Sequence, residues 1–429
     1  MTRIDDQPKP AHSRRLVVGA AVAGTISHAI TATPIHAKKG KKPSITLDAT
    51  QILSPGPVQV SGKNFPSGRK VTITLSPGGQ VIATAKASKK GKFKKNLVLP
   101  TGVPTTTGTY DVIASAKGGS ATVSLIIGVP TGDPVALGMF IPEVPTNEAA
   151  WTSVTSKIGW DPTIIMWFQA WGGTNSTLNT SQLDWVRARG ATPMITWESF
   201  DPAGGVIQPA YRRDVLDANY GAYIDTWAAG LAAWGHPVYL RWGHEMNGNW
   251  YPWAASVNGN TAADYVSFWT TLRGRFAAQG ATTVQFVWCP NISYTGSTPL
   301  ADVFPGSSAV DWLAVDGYNW GSKPGFGGWK SFANVFGPTL AQLNVLAPGR
   351  PVLIGETASA DVGGDKSSWI AEALLDAVPL AYPQIRALVW FDEDKECDWR
   401  VNSSPEVLES FASAIANRYW HADAPLDGS

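Results

Sequence analysis

The chain has 429 residues, which is enough for two or three domains, or for one large barrel with an attached module. Its net charge of only +1 excludes a uniformly basic nucleic-acid-binding protein. The sum hides two regions of opposite sign, because residues 38–128 carry a net charge of +12 and residues 129–429 a net charge of −13. All 20 tryptophans lie in the acidic region, which argues against a disordered chain.

The first 37 residues are predicted to be a cleaved bacterial export signal. Arg14 and Arg15 resemble a twin-arginine pair, and residues 35–37 are a rough match to a cleavage site. The apolar run between them has about 15 residues and is too short and polar for a good spanning helix. We therefore expect a secreted protein, extracellular or wall-associated, with no membrane span; a retained anchor is the alternative.

Residues 38–43 are predicted to be a basic linker and residues 44–128 a small all-β sandwich. Apolar residues alternate with Thr and Ser over 71–75 and 121–125, which is typical of half-buried antiparallel strands. Six or seven short strands in this length resemble the immunoglobulin-like modules of bacterial surface and secreted proteins.

The lysine-rich stretch 88–95 in this module has two interpretations. It is either a solvated hairpin or a patch for an anionic cell-wall polymer. The module contains no Trp, and Phe65, Phe93 and Tyr110 are its only aromatic residues. A stacking face for neutral sugars is therefore the weaker hypothesis.

Residues 129–134 are predicted to be a hinge, residues 135–422 a (β/α)8 TIM barrel of the α/β class, and residues 423–429 a tail. Apolar runs alternate with amphipathic stretches such as 220–234 and 262–278, which is typical of buried parallel strands and covering helices. An open doubly wound sheet is the alternative, but no Gly-rich phosphate loop follows the first run. The eight predicted strands are 136–143, 163–171, 191–199, 237–247, 283–291, 310–320, 350–359 and 385–393.

The carboxyl ends of these strands carry carboxylates and aromatic residues and few cations. Such a mouth suits sugars, whose ring faces stack on Trp and whose hydroxyls bond carboxylates. Glycoside hydrolysis needs two carboxyl groups across one bond. Glu245 and Glu356 are 111 residues apart and fall on strands four and seven of the barrel. Glu143 and Glu198 have two interpretations: each either contacts the substrate or is a charged residue on the rim of the barrel.

Residues 241–253 resemble the acid/base segment of glycoside hydrolase family 26, and residues 351–358 resemble its nucleophile strand. The family includes β-mannanases, mixed-linkage β-glucanases and β-1,3-xylanases, and the resemblance covers residues 134–422. It implies a retaining double displacement in which Glu245 is the acid/base and Glu356 the nucleophile.

The resemblance also implies a set of substrate-binding and supporting residues. Tyr318 would orient Glu356, Arg241 would keep a carboxylate ionised, and Trp390 would be a sugar platform. His244 would bond substrate or Glu356. The full predicted set is His244, Trp250, Trp253, Tyr318, Trp390, Asn247, Arg241 and Asp316.

We expect no cofactor and no metal. His244 and Glu245 begin like a zinc-protease helix, but the second His would fall at Gly248. The acidic run 392–398 is interpreted as a solvated loop, with a calcium site as the alternative. A single bridge between Cys289 and Cys397 is possible.

The expected substrate is a β-linked polysaccharide, either β-1,4-mannan or mixed-linkage β-1,3-1,4-glucan. Typical mannanases follow the acid/base with Trp-Phe-Trp-Trp-Gly and the nucleophile with Phe. Here residues 250–254 differ and Thr357 follows Glu356, which favours β-glucan. The alternatives are a β-1,3-xylanase and a protein that binds glycan or cell wall without cleaving it. We expect a monomer with no nucleic-acid partner.

Overall fold

The computed structural model of the chain describes residues 41–54, 56–99, 104, 106–172, 177–204 and 213–426. The predicted export signal over residues 1–37 lies outside the described residues. Among the helices described, none combines the length and the apolar composition that a membrane span requires.

The N-terminal region forms two packed β-sheets, which confirms the predicted all-β fold class. One sheet has the order β1-β3-β6 and the other the order β2-β8-β7-β4-β5. In β4 the apolar residues Val71, Ile73 and Leu75 face the core between the sheets, while Thr72 and Thr74 face outward. The strands are β1 Ser44–Leu47, β2 Gln51–Leu53, β3 Pro57–Lys63, β4 Lys70–Ser76, β5 Gln80–Lys86, β6 Phe93–Val98, β7 Gly108–Ala116 and β8 Gly119–Gly128.

The acidic region forms a closed barrel of parallel strands, which confirms the predicted TIM barrel. The first barrel strand, β9, pairs with both β10 and β16, so the sheet has no free edge and the open-sheet alternative is wrong. The strands are β9 Ala136–Phe140, β10 Ile164–Ala170, β11 Thr192–Glu198, β12 Val238–Trp242, β13 Val284–Trp288, β14 Trp312–Asp316, β15 Val352–Thr357 and β16 Ile385–Phe391.

Helices cover the outside of the barrel. Local sequence sets their starts: Thr261 and Asp264 form a reciprocal cap at α4, and Ser404 caps α8 ahead of Pro405. The described α-helices are α1 Glu148–Ile158, α2 Thr180–Arg187, α3 Arg213–Trp234, α4 Ala262–Ala278, α5 Leu300–Val303, α6 Phe332–Leu346, α7 Lys366–Ala371 and α8 Pro405–Ile415, and a π-helix, Glu372–Ala381, continues α7.

Alternation along each strand decides which residues reach the barrel interior. On β16, Val389 joins the cluster inside the barrel while Trp390 packs among residues of the outer layer. Several strands are shorter than predicted. The strand predicted over 237–247 ends at Trp242, because Gly243 and Glu245 both have φ near +55° and a strand cannot continue through left-handed residues. The residues of the mouth therefore lie in turns.

The sandwich packs against the end of the barrel where the strands begin. Leu53 of β2 is buried in the barrel's hydrophobic core, and its carbonyl accepts a hydrogen bond of 2.8 Å from Asn417. Gln51 donates to Asp376 on the π-helix, and Thr131 N–H donates to the carbonyl of Pro379. The mouth with its carboxylates is at the opposite end, where the strands finish.

Candidate active site

Glu245 lies in the turn that follows β12, and both of its carboxylate oxygens are held. Asn291 donates to one oxygen at 2.6 Å, and the indole N–H of Trp250 donates to the other at 2.6 Å. The backbone N–H of Glu245 donates to the carbonyl of Cys289, which fixes the residue in its left-handed conformation. A non-glycine residue held there costs on the order of 1 kcal/mol, so the surrounding contacts determine its position.

Glu356 lies at the end of β15 and is held by a cation and a hydroxyl. The Arg241 guanidinium donates to one carboxylate oxygen, and the Tyr318 hydroxyl donates to the other at 2.5 Å. The strand pairing shifts register on both sides of β15 near this residue, which re-aims its side chain into the mouth. Both contacts stabilise negative charge on Glu356.

Arg241 is fully buried at the centre of this system. It also donates to Asp316 at 2.6 Å and to the Thr196 hydroxyl at 2.7 and 2.9 Å. Burial alone lowers the pKa of Arg241, but Asp316 and Glu356 outweigh that effect and keep the guanidinium charged. Arg241 and Asp316 were predicted to bind substrate, but neither side chain has exposed surface. They position Glu356 instead.

Gly355 makes room for this charge cluster. A Cβ at this position would lie 2.5 Å from an Asp316 oxygen, 2.8 Å from the Cys289 sulfur and 3.1 Å from an Arg241 nitrogen. The residue before Glu356 must therefore lack a side chain.

Two carboxyl groups of the mouth have strongly raised pKa values. Burial, followed by the charge of Glu356, raises the pKa of Glu245 to about 7. The same two causes raise the pKa of Glu198, at the end of β11, to about 8. Each therefore keeps its proton to a higher pH than an ordinary glutamate does. The sequence left Glu198 undecided, and the structure places it in the buried part of the mouth, whereas Glu143 is exposed and bonds Asn147.

His244 is fully buried and pairs with Tyr251 through its Nε2 at 3.1 Å, not with Glu356. Burial, followed by the charge of Arg241, lowers the pKa of His244 well below its ordinary value, so the ring is neutral. Its ring lies 4.7 Å from that of Tyr251, centroid to centroid, and supports the loop after β12.

The structure contradicts three predicted sugar contacts. Trp390 is fully buried on the outer face of β16, packs on Trp369 and Phe411, and donates to the Trp399 carbonyl. Trp253 is also buried and donates to the carbonyl of His244. Asn247 is buried and bonds the backbone of Asn291 at both its N–H and its carbonyl. Trp390 does not reach the mouth because strand alternation turns it to the outer face of β16. Trp253 and Asn247 do not reach it because they bond the backbone of neighbouring loops.

Exposed aromatic rings lie on two sides of the mouth. Trp250 is 36% exposed and stacks on Tyr294, which is 41% exposed, beside Glu245. On the other side the half-buried Trp320 stacks on the exposed Phe326, with ring centroids 4.0 Å apart, and Trp320 also packs edge-on against the buried Trp399. The sequence predicted only Trp250 of this group as a contact. The others lie in loops, where no periodic signal assigns a facing direction, whereas Asn291 could have been found from its place just after β13.

One set of potential metal ligands comes together in the described part of the chain: His244, Asp316 and Glu356, with ligand atoms within 4.8 Å of one another. The Arg241 guanidinium already donates to both carboxylates, and a metal ion there would face this fixed positive charge. The pairing of Arg241 with Asp316 and Glu356 therefore explains why these three side chains lie close together.

The acidic run 392–398 is engaged in internal bonds. Asp392 accepts the N–H of Val401 at 2.6 Å, and Arg400 pairs with Asp394 at 3.2 Å and with Asp398 at 2.5 Å. These contacts bind part of the carboxylate oxygens of the run within the protein. Cys289 and Cys397 are both free thiols, so the possible bridge is not formed.

Comparison with known sequences points to one family. The sequence model of glycosyl hydrolase family 26 matches residues 208–353, a segment that contains Glu245 and ends just before Glu356. Endoglucanase H of Acetivibrio thermocellus is 37% identical over 251 residues, which are 55% of this chain and 26% of that protein. The β-1,3-xylanase TXYA of a Vibrio species is 31% identical over 114 residues, 26% of this chain and 23% of that protein. The chain thus spans about a quarter of the length of these relatives.

Solved structures share the fold at low sequence identity. The YdhT protein of Bacillus subtilis aligns with a TM-score of 0.50 and 20% identity, over 68% of this chain and 87% of that one. A modular endo-β-1,4-mannanase of Cellulomonas fimi aligns with a TM-score of 0.51 and 17% identity, over 67% of this chain and 71% of that one. Sequence matches and fold agree: residues 208–353 of the barrel are similar to glycosyl hydrolase family 26, and the solved structures share the barrel fold.

Proposed function

We propose that this chain is a secreted, retaining endo-β-glycosidase that cleaves a β-linked polysaccharide by double displacement. The observation that carries the proposal is the paired state of two buried carboxyl groups. Burial and the charge of Glu356 raise the pKa of Glu245 to about 7, while Arg241 and Tyr318 stabilise negative charge on Glu356. One group is ready to give a proton and the other to attack.

In the first step, Glu356 attacks the anomeric carbon while Glu245 gives its proton to the leaving oxygen. The bond to the leaving sugar breaks as a bond from carbon to a Glu356 oxygen forms. Esterification removes the charge of Glu356, which is one cause of the raised pKa of Glu245. Glu245 can then accept a proton from water, which attacks the same carbon and releases Glu356.

The side chains around the pair position it for these steps. Arg241 and Tyr318 each hold one oxygen of Glu356, so the attacking carboxylate has a single orientation. Asn291 and Trp250 do the same for Glu245. The stacked pair Trp250 and Tyr294 lies on the Glu245 side of the mouth, where the leaving part of the polymer would rest.

We favour mixed-linkage β-1,3-1,4-glucan as the substrate, with β-1,4-mannan as the alternative. The support is the endoglucanase name of the relative with 37% identity, together with the departure from the mannanase pattern at residues 250–254. The second departure, at Thr357, carries less weight than its place in the sequence suggested, because that side chain is buried and does not line the mouth. Two relatives are named β-1,3-xylanase, so β-1,3-xylan is a third candidate substrate.

The test offers the full chain barley β-glucan, mannan, β-1,3-xylan and cellulose, and measures reducing sugar. We expect the largest release from β-glucan and none from the Glu356→Ala variant. Largest release from mannan or xylan would reassign the substrate. No release from any polymer would support a glycan-binding protein without catalysis, and release that persists in the variant would refute Glu356 as the nucleophile.

Export through a twin-arginine signal is part of the proposal. Its support is the sequence of residues 1–37. The test is to express the full chain in a bacterium with an active twin-arginine pathway and to locate the protein by immunoblot. We expect export of the wild-type chain and retention of Arg14→Lys/Arg15→Lys, and equal export of both would contradict the assignment.

A further inference from the structure

The strand register of the sandwich brings its cations to one end. Lys70 pairs with Lys86 across β4 and β5, and the turn after Lys86 leads straight into β6. Gly62, next to Lys63, pairs with Phe93, next to Lys94. We call this end the basic pole; its residues are Lys41, Lys42, Lys63, Arg69, Lys70, Lys86, Lys89, Lys90, Lys92, Lys94, Lys95 and Lys117, all of them exposed.

The basic pole is the end of the sandwich farthest from the barrel. Strand β8 runs from Gly119, beside the pole, to Gly128, which contacts Leu53 and Leu380 at the junction. Ten residues of β-strand span about 30 Å. Because the junction is at the end of the barrel where the strands begin, the pole and the mouth lie at opposite ends of the molecule.

The charge of the pole is not neutralised within the described part of the chain. None of its cations forms an ion pair with a described carboxylate. The two acidic residues of the sandwich are engaged elsewhere: Asp48 accepts the N–H of Gln59 at 2.7 Å, and Asp111 accepts from Ser124 at 3.0 Å. Like charges held this close repel one another, so the pole attracts an external anion.

The residue types of the pole select the kind of anion. Eleven of the twelve cations are lysines, which act as point charges and lack the planar fork that grips a single carboxylate or phosphate. The aromatic residues nearby are unavailable to a sugar ring, because Phe65 and Phe93 pack edge to face inside the core. The surface therefore suits a chain of regularly spaced negative charges and not a neutral glycan.

We infer that the basic pole binds an anionic polysaccharide and so tethers the molecule to an acidic matrix, with the mouth facing away from it. The mouth has the opposite character, since it pairs carboxyl groups with aromatic rings and suits an uncharged polymer. Binding of an anionic polysaccharide at the basic pole does not depend on the proposed activity, whereas binding of a neutral glycan at the mouth rests on it.

The test measures binding of the full chain to polygalacturonate, as the probe, at 50 and 500 mM NaCl. We expect binding at low salt that is lost at high salt. The variant Lys89→Gln/Lys90→Gln/Lys92→Gln should bind about tenfold more weakly, because it removes three of the twelve cations that attract the polymer. The matched control, Lys157→Gln/Arg187→Gln/Arg418→Gln, removes three exposed charges from the barrel and should bind as the wild type does.

Equal weakening by both triple variants would overturn the inference, because the net charge and not the pole would then decide binding. Binding that survives 500 mM NaCl would also overturn it. Light scattering at low salt tests the competing occupant, which is the acidic barrel of a second copy. Self-association that the pole variant abolishes, without binding to polygalacturonate, would assign the pole to that contact.

Discussion

At the scale of single residues, the structure turns a pair of glutamates into two different chemical groups. Glu245 receives two neutral donors, whereas Glu356 receives a guanidinium and a hydroxyl. This difference in partners is what separates a proton donor from a nucleophile. Sequence spacing placed the glutamates on strands four and seven, but it could not reveal these partners. Asn291 is 46 residues from Glu245 and meets it only because β12 and β13 pair side by side.

The pH dependence of kcat/KM should show the protonation of Glu245. Its raised pKa of about 7 predicts that kcat/KM falls as the pH rises through about 7, because the acid loses its proton. The Asn291 bond favours the charged form, so Asn291→Ala should raise this pKa further and move the alkaline limb up by roughly one pH unit. Asn96→Ala, on the sandwich, should leave the limb unchanged. A limb that moves to lower pH in Asn291→Ala would contradict the assignment.

Arg241 tests the difference between a positioning residue and a substrate contact. Arg241→Lys should lower the free energy of unfolding by about 3 kcal/mol, because lysine cannot serve Asp316, Glu356 and Thr196 together and leaves a buried charge unpaired. We expect kcat to fall about 100-fold with little change in KM. Arg386→Lys, in an exposed pair with Asp133 at 3.0 Å, should cost less than about 1 kcal/mol. A change confined to KM would make Arg241 a substrate contact.

At the scale of elements, strand alternation and strand ends decide what reaches the mouth. The apolar runs of the sequence located every barrel strand, since buried parallel strands have a strong compositional signal. They did not locate where each strand stops, because the left-handed residues Gly243 and Glu245 end β12 early. They also did not show whether Trp390 faces the barrel interior or the helices. A shift of one residue along β16 exchanges these two faces.

The close packing around Gly355 on β15 predicts that a side chain at this position disturbs the charge cluster. Gly355→Ala places a Cβ 2.5 Å from Asp316, so the charge cluster must shift, and we expect loss of most activity and of about 2 kcal/mol of stability. Gly274→Ala inside α4 meets no atom within 4 Å and should leave activity intact while gaining up to about 1 kcal/mol. Urea unfolding and initial rates measure both. Normal activity in Gly355→Ala would show that the cluster does not need this close approach.

At the scale of the whole molecule, the charge and tryptophan asymmetry of the sequence corresponds to two bodies joined at a buried contact. The sequence predicted the division near residues 129–134, because composition changes there. It could not predict the junction, which forms between residues far apart in the chain, such as Leu53 and Asn417. That contact places the basic pole and the mouth at opposite ends.

The junction can be tested through the tryptophans, since all of them lie in the barrel and report only its unfolding. Leu53→Ala removes a side chain of the sandwich that is buried in the barrel core, and it should destabilise the fluorescence-detected transition by about 2–4 kcal/mol. Ile126→Ala, at an exposed position on the paired strand β8, should leave the transition unchanged. An unchanged transition in Leu53→Ala would mean that the two bodies are stable independently.

The most direct measurement of the proposed mechanism is covalent trapping of the nucleophile. The full chain is incubated with a 2-deoxy-2-fluoro β-glucan oligosaccharide that carries a good leaving group, and the labelled peptide is sequenced by mass spectrometry. We expect one sugar per chain, attached to Glu356, and none on Glu356→Gln. A label on Glu245 or Glu198, or turnover without any trapped intermediate, would contradict the double displacement assigned to this pair.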